Sequence, residues 1–521
     1  MNLTIDPIYP AIALAYFAAL ALCAITAWIL SRQEQAVRAR WTTSLLVLVV
    51  VFSTLAYGFA RYPDSDEIEH LHDSWLIYQG QTPFTDFWEH HSPTLWILLS
   101  PVVGNLPHSG LMCDFARALS LLVSIVAWLL AIRLASRLHG PSRGLTLVMW
   151  LLWAGSIIPG EFNNLRPDLF ADVFSMGAVL ILVVSRRPVD VLASGALLGF
   201  ALSFTPKHAP LALMLPLTVL LEQRRILPFL KSTVIQFVGV AIGLAPLAAW
   251  LVGRGLLDDY WRWVIVFNRN EGVTLGGTFP LVPLVLAAAW ALRIRTDRWD
   301  NARPADRIVL VGILLSIAIL FLYKTSAKAT YHLQMFLLLA SAAGSFEAKT
   351  VLAALAKAGR AWIAGLLIGL SFASSLLAWQ WLWDVDYIAG RTEIGRTMEI
   401  ARGRPVVAIP PRHPITAPDA TDLSQAWQWW VYLSRPEIRA RLKGMGDKII
   451  ETRPVLIGAG EPPSTTGDPK TEAVGLPALF VQQLCRNQVI GIEETRRLQK
   501  FLLENYRLFR IGRHWYWVLK E

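Results

Sequence analysis

Charge is scarce in this chain. Only 17% of its 521 residues are Asp, Glu, Lys or Arg, against about 25% in an ordinary soluble domain. Mean hydropathy is +0.45 over the full length, which excludes a disordered chain and a single water-soluble domain. Cysteine is scarcer still. Cys23, Cys113 and Cys485 are too few and too scattered for a disulfide framework or a thiolate metal site. The first apolar stretch lacks a basic start and a small-residue cleavage site, so no cleavable signal peptide is expected. Internal repeats and low-complexity tracts are also missing. What the chain has in quantity is apolar residues, 54% of the total, with 22 Trp and 22 Phe. That combination describes a polytopic membrane protein, its tryptophans mostly suited to anchoring at the lipid interface.

A membrane helix needs about 20 mostly apolar residues. Twelve segments qualify: 9–31, 41–60, 112–133, 144–161, 167–186, 189–205, 208–222, 233–252, 279–294, 308–323, 331–346 and 361–382. The apolar run 94–106 is too short to cross and reads as a re-entrant or interfacial helix. The net charge of +10 would invite a nucleic-acid partner in a soluble protein, but here it sorts by topology. The alternate loops 32–40, 133–143, 186–190, 222–231, 293–307 and 347–360 carry 19 Lys and Arg against 7 acids. By the positive-inside rule these are cytoplasmic. The N-terminus and the tail then lie outside, as periplasmic segments if the membrane is a bacterial inner membrane. The paucity of cysteine favours that setting, and nucleic acid drops out as a partner.

The expected fold is therefore an all-α polytopic membrane domain over residues 1–383, followed by an extracytoplasmic α/β domain at 384–521. In the tail, short apolar strands at 405–409 and 454–458 alternate with helical patterns at 424–443 and 493–506. A hairpin, YRLFRIGRHWYWVL, closes the chain.

One loop breaks the charge pattern. Residues 61–93 hold seven acids (Asp64, Asp66, Glu67, Glu69, Asp73, Asp86, Glu89) and one base, Arg61. Asp64 follows Pro63 and precedes Glu67 at capping-box spacing, which predicts a helix from about Ser65. Asp66, Glu69, His70 and Asp73 then share a helix face. That stripe is either a solvated face, a cation site, or a catalytic base with its supports. After the turn at Gly80, the segment TDFWEHHSPTLW brings Asp86, Glu89, His90 and His91 up to Pro93, which starts the short apolar helix.

The Asp66-Glu67 pair, the Gln79-Gly80 turn and the His90-His91-Ser92-Pro93 end resemble the GT-C glycosyltransferases. The branch most similar contains the protein O-mannosyltransferases and the lipid A aminoarabinose transferase. Ser92 and Thr94 depart from the usual form of that last motif. FNNLRPDLF (162–170) is similar to the family's second external acidic motif, with Asp168 as its carboxylate. GFALSFTPKHAP (199–210) resembles a Gly-rich helix ending in a lysine, here Lys207. YHLQMFLLLASAAG (331–344) is similar to a late helix bearing Tyr331.

The resemblance implies an inverting transferase with a polyprenyl-phosphate sugar as donor and an extracytoplasmic glycan, lipid or protein as acceptor. Asp66 is the expected base, its pKa shifted upward near a low-dielectric wall and other acids, and Glu67 is the fallback. Asp168 completes the catalytic set. Lys207 would neutralise the leaving phosphate or snorkel to the interface. Arg166 would bind phosphate or pair with Asp168. His90, His91, Glu69 and Tyr331 join them as substrate-binding candidates.

No cofactor is required, although a divalent metal is possible, with His70, His90 and Glu69 as its ligands. The spacing of these histidines is not that of a zinc helix, and adjacent His90 and His91 reach one ion awkwardly. Orientation of substrate by His90 or His91, or simple packing, is the competing reading. From another class comes a carrier or flippase for a lipid-linked sugar or small anion, which would bury charges mid-span within repeated halves. A GT-C-like scaffold without activity is a third possibility.

Overall fold

In a computed structural model of the chain, residues 63, 65–106, 110–154, 164–268, 281–296, 302–322, 334–357, 387–407, 423, 436–460, 491–511 and 514–520 are described. The expected spans 9–31, 41–60 and 361–382, and Tyr331, lie outside them. The chain forms two compact units. Residues 1–60 and 117–384 make one, and residues 61–116 and 385–521 make the other.

Helices dominate the chain order: α1 Ser65–Tyr78, α2 Thr94–Val103, α3 Leu111–His139, α4 Arg143–Ala154, α5 Pro167–Val184 and α6 Pro188–Phe204 come first. A 3₁₀ segment, Pro206–Leu213, leads into α7 Met214–Gln223 and α8 Ile226–Gly253. The short α9 Leu257–Tyr260 runs into a π-helix at Trp261–Phe267. Helices α10 Leu281–Thr296, α11 Pro304–Leu322 and α12 Gln334–Lys357 follow. Among the described residues, four helices are long and apolar enough to cross a membrane: α3, α5, α8 and the Gln334–Leu355 part of α12. The 28 residues of α8 rise about 42 Å, more than the hydrocarbon core of about 30 Å. The expected span 208–222 is a compound element, because Thr205 is extended and Pro206 and Pro210 favour the tighter 3₁₀ turn before α7 begins.

In the membrane unit, α5, α11 and α12 pack around a core with Trp128 of α3 and Trp290 of α10, both fully buried. Backbone proximity, not side-chain volume, joins α6 to α8. Each helix carries two glycines four residues apart, Gly195 and Gly199 on α6 and Gly239 and Gly243 on α8. A methyl at Gly199 would lie 2.2 Å from the Val240 carbonyl oxygen, and one at Gly243 would lie 2.1 Å from that of Ala196. This is the small-residue contact by which membrane helices associate where no hydrophobic force acts between them.

The basic loops fold back on this unit's helix ends. Arg186 Nη1 sits 2.7 Å from Glu222 Oε2, Arg293 Nε 2.9 Å from Glu347 Oε1, and Arg303 Nη2 2.8 Å from Asp306 Oδ1. The first two pairs join neighbouring helices, and the third closes the first turn of α11.

The second unit joins the acidic loop to the tail. Its tail elements are α13 Tyr387–Ala401, β1 Val406–Val407, α14 Pro436–Leu442, α15 Met445–Thr452, β2 Leu456–Gly460, α16 Ile492–Asn505, β3 Tyr506–Ile511 and β4 His514–Leu519. The sheet order is β1-β2-β4-β3. β1 and β2 are parallel, β2 and β4 antiparallel, and the β3–β4 hairpin runs in register from Tyr506 opposite Leu519 to Ile511 opposite His514. The tail's expected strands and hairpin correspond to these elements. Of the helical pattern at 424–443, Pro436–Leu442 forms α14, and residues 424–435 are outside the described set. Tyr516 donates its hydroxyl to the buried Glu393 carboxylate at 2.7 Å, fastening α13 to the sheet.

Gly199→Val should force the α6–α8 backbones apart and lower stability by at least about 1–3 kcal/mol. Thermal unfolding of the detergent-solubilised protein checks this. An unchanged midpoint would mean that the helices do not meet at these glycines.

Candidate functional site

The acidic loop is built from the sequence features that bound it. Helix α1 starts at Ser65, with Asp66 and Glu67 in its first turn, where negative charge meets the positive end of the helix dipole. It ends in a Schellman-type turn at Gly80, whose φ is +84°. Gln81 N donates to Leu76 O at 3.0 Å across that turn. The following loop is closed by Asp86: Thr82 N donates to its carboxylate at 2.6 Å, and Asp86 N returns a bond to Thr82 O at 2.9 Å. Asp86 is exposed and serves the turn. Phe84 adopts φ +71° with its ring buried, and Arg441 of α14 donates to its carbonyl at 2.5 Å. The tail holds the base of this region a second time where Arg391 Nη2 lies 2.7 Å from Asp114 Oδ2.

The helical stripe is not a solvated face. Glu67, Glu69, His70 and Asp73 are all buried, each no more than 1% exposed, while Asp66 is half-buried at the helix start. Glu89 lies beside Glu69 and Asp73. Its Oε1 accepts from the backbone N–H of His90 at 2.6 Å and of His91 at 3.0 Å. The Nδ1 atoms of His91 and His90 sit 2.7 and 3.0 Å from the same oxygen.

Electrostatics separates these acids. Burial first, then the neighbouring Glu89, pushes Glu69 and Asp73 well above the usual carboxylate range. Glu89 goes the other way: burial alone would raise it, but the His91 and His90 imidazoles hold it well below its ordinary value. Burial and the adjacent His90 ring lower His91. One carboxylate held low between two pushed high is the pattern of acids sharing a site.

His70 is committed elsewhere. The Trp96 indole donates to its Nδ1 at 3.0 Å. Since an indole nitrogen only donates, His70 is neutral and carries its proton on Nε2. Trp88 stacks on His90 at 5.4 Å. Among the described residues, the group whose ligating atoms lie within 4.8 Å of one another is Glu89, His90 and His91.

In the membrane unit, the 162–170 motif becomes a helix start. Arg166 is extended and largely buried, Pro167 occupies the first helical position and Asp168 the first turn of α5. Lys207 Nζ approaches Asp168 Oδ1 at 3.2 Å. One turn further, Asp172 lies 3.6 Å from His208 Nε2, and Ser175 Oγ is 2.7 Å from His208 Nδ1. Sequence reading brought Asp168 and Lys207 forward separately. It passed over Asp172, Ser175 and His208, although the i, i+4 spacing of the two aspartates and the Lys207-His208 pair were visible signals. It also left Asp73 and Glu89 out of the site, despite naming both among the loop's acids.

The described residues thus comprise an apolar helical bundle, an acidic, histidine-bearing first loop and a second acid–lysine pair, the features on which the expectation of a polytopic GT-C-like fold rests. A structural comparison shows the fold. Over 93% of this chain and 98% of the other, the protein superposes on the crystal structure of ArnT from Cupriavidus metallidurans bound to undecaprenyl phosphate. The TM-score is 0.56 and the sequence identity 12%. No family model matches the sequence, and no curated protein matches it.

Trp96→Phe keeps the buried ring but strips His70 of its donor. It should lower stability by about 1–3 kcal/mol, the cost of an orphaned buried acceptor. Thermal unfolding reads this directly, and a variant as stable as the parent would contradict the tautomer assigned to His70.

Proposed function

We propose that this protein is an integral membrane glycosyltransferase that takes a sugar from a polyprenyl-phosphate donor. It transfers that sugar, with inversion, to an acceptor on the extracytoplasmic side of a bacterial inner membrane. The acceptor class comprises lipid A, a surface polysaccharide, a glycolipid or a protein hydroxyl. One observation carries the reading. Asp66 is a half-buried carboxylate at the rim of a cluster of buried acids and largely buried imidazoles, on a chain whose fold is shared with a protein crystallised with undecaprenyl phosphate.

In the proposed reaction the acceptor hydroxyl gives its proton to Asp66 while its oxygen attacks the anomeric carbon. The bond from that carbon to the phosphate oxygen breaks, and the leaving polyprenyl phosphate keeps the electron pair. A positioned base of this kind contributes about 10²–10⁴-fold. Glu67, next to Asp66 and fully buried, is the supporting acid. The leaving phosphate needs cationic neutralisation, the role proposed for Lys207, with Asp168 orienting its ammonium group and Arg166 as a second phosphate ligand. His90, His91 and Glu69 remain proposed substrate-side residues, as does Tyr331. The tail and the N-terminus are assigned to the periplasm on the loop charge bias alone.

Asp66→Asn, purified and reconstituted, should fold as the parent does and lose at least about 10²-fold in transfer from a polyprenyl-phosphate sugar. Transfer at the parental rate would show that Asp66 is not the base. Wild-type protein that moves a lipid-linked sugar across the bilayer without transferring it would replace the enzyme reading with that of a carrier.

A further inference from the structure

The membrane unit holds a cavity that neither the acidic loop nor the Lys207–Asp168 pair accounts for. Its volume is about 460 Å³, within the range of about 300–1,000 Å³ usual for small-ligand sites. It lies among the end of α3, the last turns of α10, the start of α11 and the middle of α12. The flanking loops 133–143 and 293–307 belong to the basic set that the charge bias assigns to the cytoplasm. Asp168, by contrast, lies in the first turn of α5, after the external stretch 162–166.

The lining divides by chemistry. Its buried part is apolar, with Leu138, Trp290 and Ile294, and its more exposed part carries Arg293 and Arg303. Asp306 also lines the cavity, but Arg303 already holds both of its oxygens, from Nε to Oδ2 and from Nη2 to Oδ1, each at 2.8 Å. Nη2 donates to the Leu138 carbonyl as well, covering an end carbonyl of α3 that would repel an anion. Those contacts use the Nε and Nη2 hydrogens of Arg303, and the Nη1 hydrogens meet no acceptor among the described residues.

Arg293 is fixed in the same manner. Its Nε lies 2.9 Å from Glu347 Oε1, and its guanidinium sits 4.6 Å over the ring of Phe346. His139 donates from Nε2 to the Ala343 carbonyl at 2.8 Å, tying α3 to α12 across the same cavity. Two guanidiniums from different elements, each set in place by an acid, form a preorganised pair of planar donors. That geometry suits phosphate oxygens.

We propose that this cavity binds the phosphate group of an anionic ligand, with Arg303 and Arg293 as its donors. A glycerophospholipid headgroup of the cytoplasmic leaflet and free inorganic phosphate share that chemistry. The apolar wall of Trp290, Ile294 and Phe346 favours the lipid, because basic pockets between membrane helices on the cytoplasmic side take anionic headgroups. The assignment is independent of sugar transfer, since occupancy is read without donor or acceptor.

The test uses the full-length protein in detergent, delipidated and then offered phosphatidylglycerol, phosphatidylcholine or inorganic phosphate. Native mass spectrometry should show one phosphatidylglycerol retained per chain. The thermal unfolding midpoint should rise with phosphatidylglycerol and not with phosphatidylcholine. Arg303→Gln should weaken retention by at least about 10-fold, the loss expected for a charge-assisted pair. Because that change also releases Asp306, Ala302→Trp is the second variant. It fills the cavity, keeps both arginines and their acids, and should abolish retention. A midpoint raised by inorganic phosphate and not by the lipid would uphold the site and make soluble phosphate its ligand. Phosphatidylglycerol retained equally by wild type and both variants overturns the proposal, as does a wild type that responds to neither anionic probe.

Discussion

Four carboxylates, Glu67, Glu69, Asp73 and Glu89, and the His70, His72 and His90 imidazoles are packed away from water between one helix and one loop. With His91 partly exposed beside them, they set the terms for the rest of the second unit. Each desolvated acid is unfavourable by several kcal/mol unless it is paired or shares a proton, so the region persists only where its neighbours are fixed. Glu89 is the hub. It gathers two backbone N–H groups and two imidazoles on a single oxygen, and this draws Glu89 below its usual pKa while Glu69 and Asp73 rise above theirs. The surrounding structure serves that arrangement: Asp86 closes the loop, the Trp96 indole pins His70, and Arg441 and Arg391 reach from the tail to Phe84 and Asp114.

The membrane unit solves a different problem with different means. No hydrophobic force separates helix from lipid, so α6 and α8 adhere through backbone contact at four glycines. Arginines at the helix ends clasp Glu222, Glu347 and Asp306. Its polar network, Lys207–Asp168 and Asp172–His208–Ser175, sits at the start of α5 and in the 3₁₀ segment. Helical regularity breaks there because Thr205 and Pro206 cannot continue α6.

Local features were legible from residue order. Pro63, Asp64 and Glu67 announce a helix from Ser65, Gly80 stops it, and Pro93 opens the next. The YRLFRI and HWYWVL segments pair as the hairpin their alternation suggests. What stayed hidden depends on partners far away in sequence. Nothing near Asp114 foretells Arg391, and nothing near Phe84 foretells Arg441. Whether an acid stripe faces water or protein is likewise decided by the loop packed on it, not by the stripe. For the same reason Glu89 read as one acid among seven, and its position as hub appears only when α1 lies against it.

The central claim is that an acid cluster on a GT-C fold performs sugar transfer. The most direct measurement is chemical: wild-type protein in liposomes, a labelled polyprenyl-phosphate sugar, and an envelope extract as the source of acceptor. The account predicts that label passes to an acceptor with inverted anomeric configuration as polyprenyl phosphate is released in equal amount. Donor recovered intact, on either face of the membrane, would contradict it.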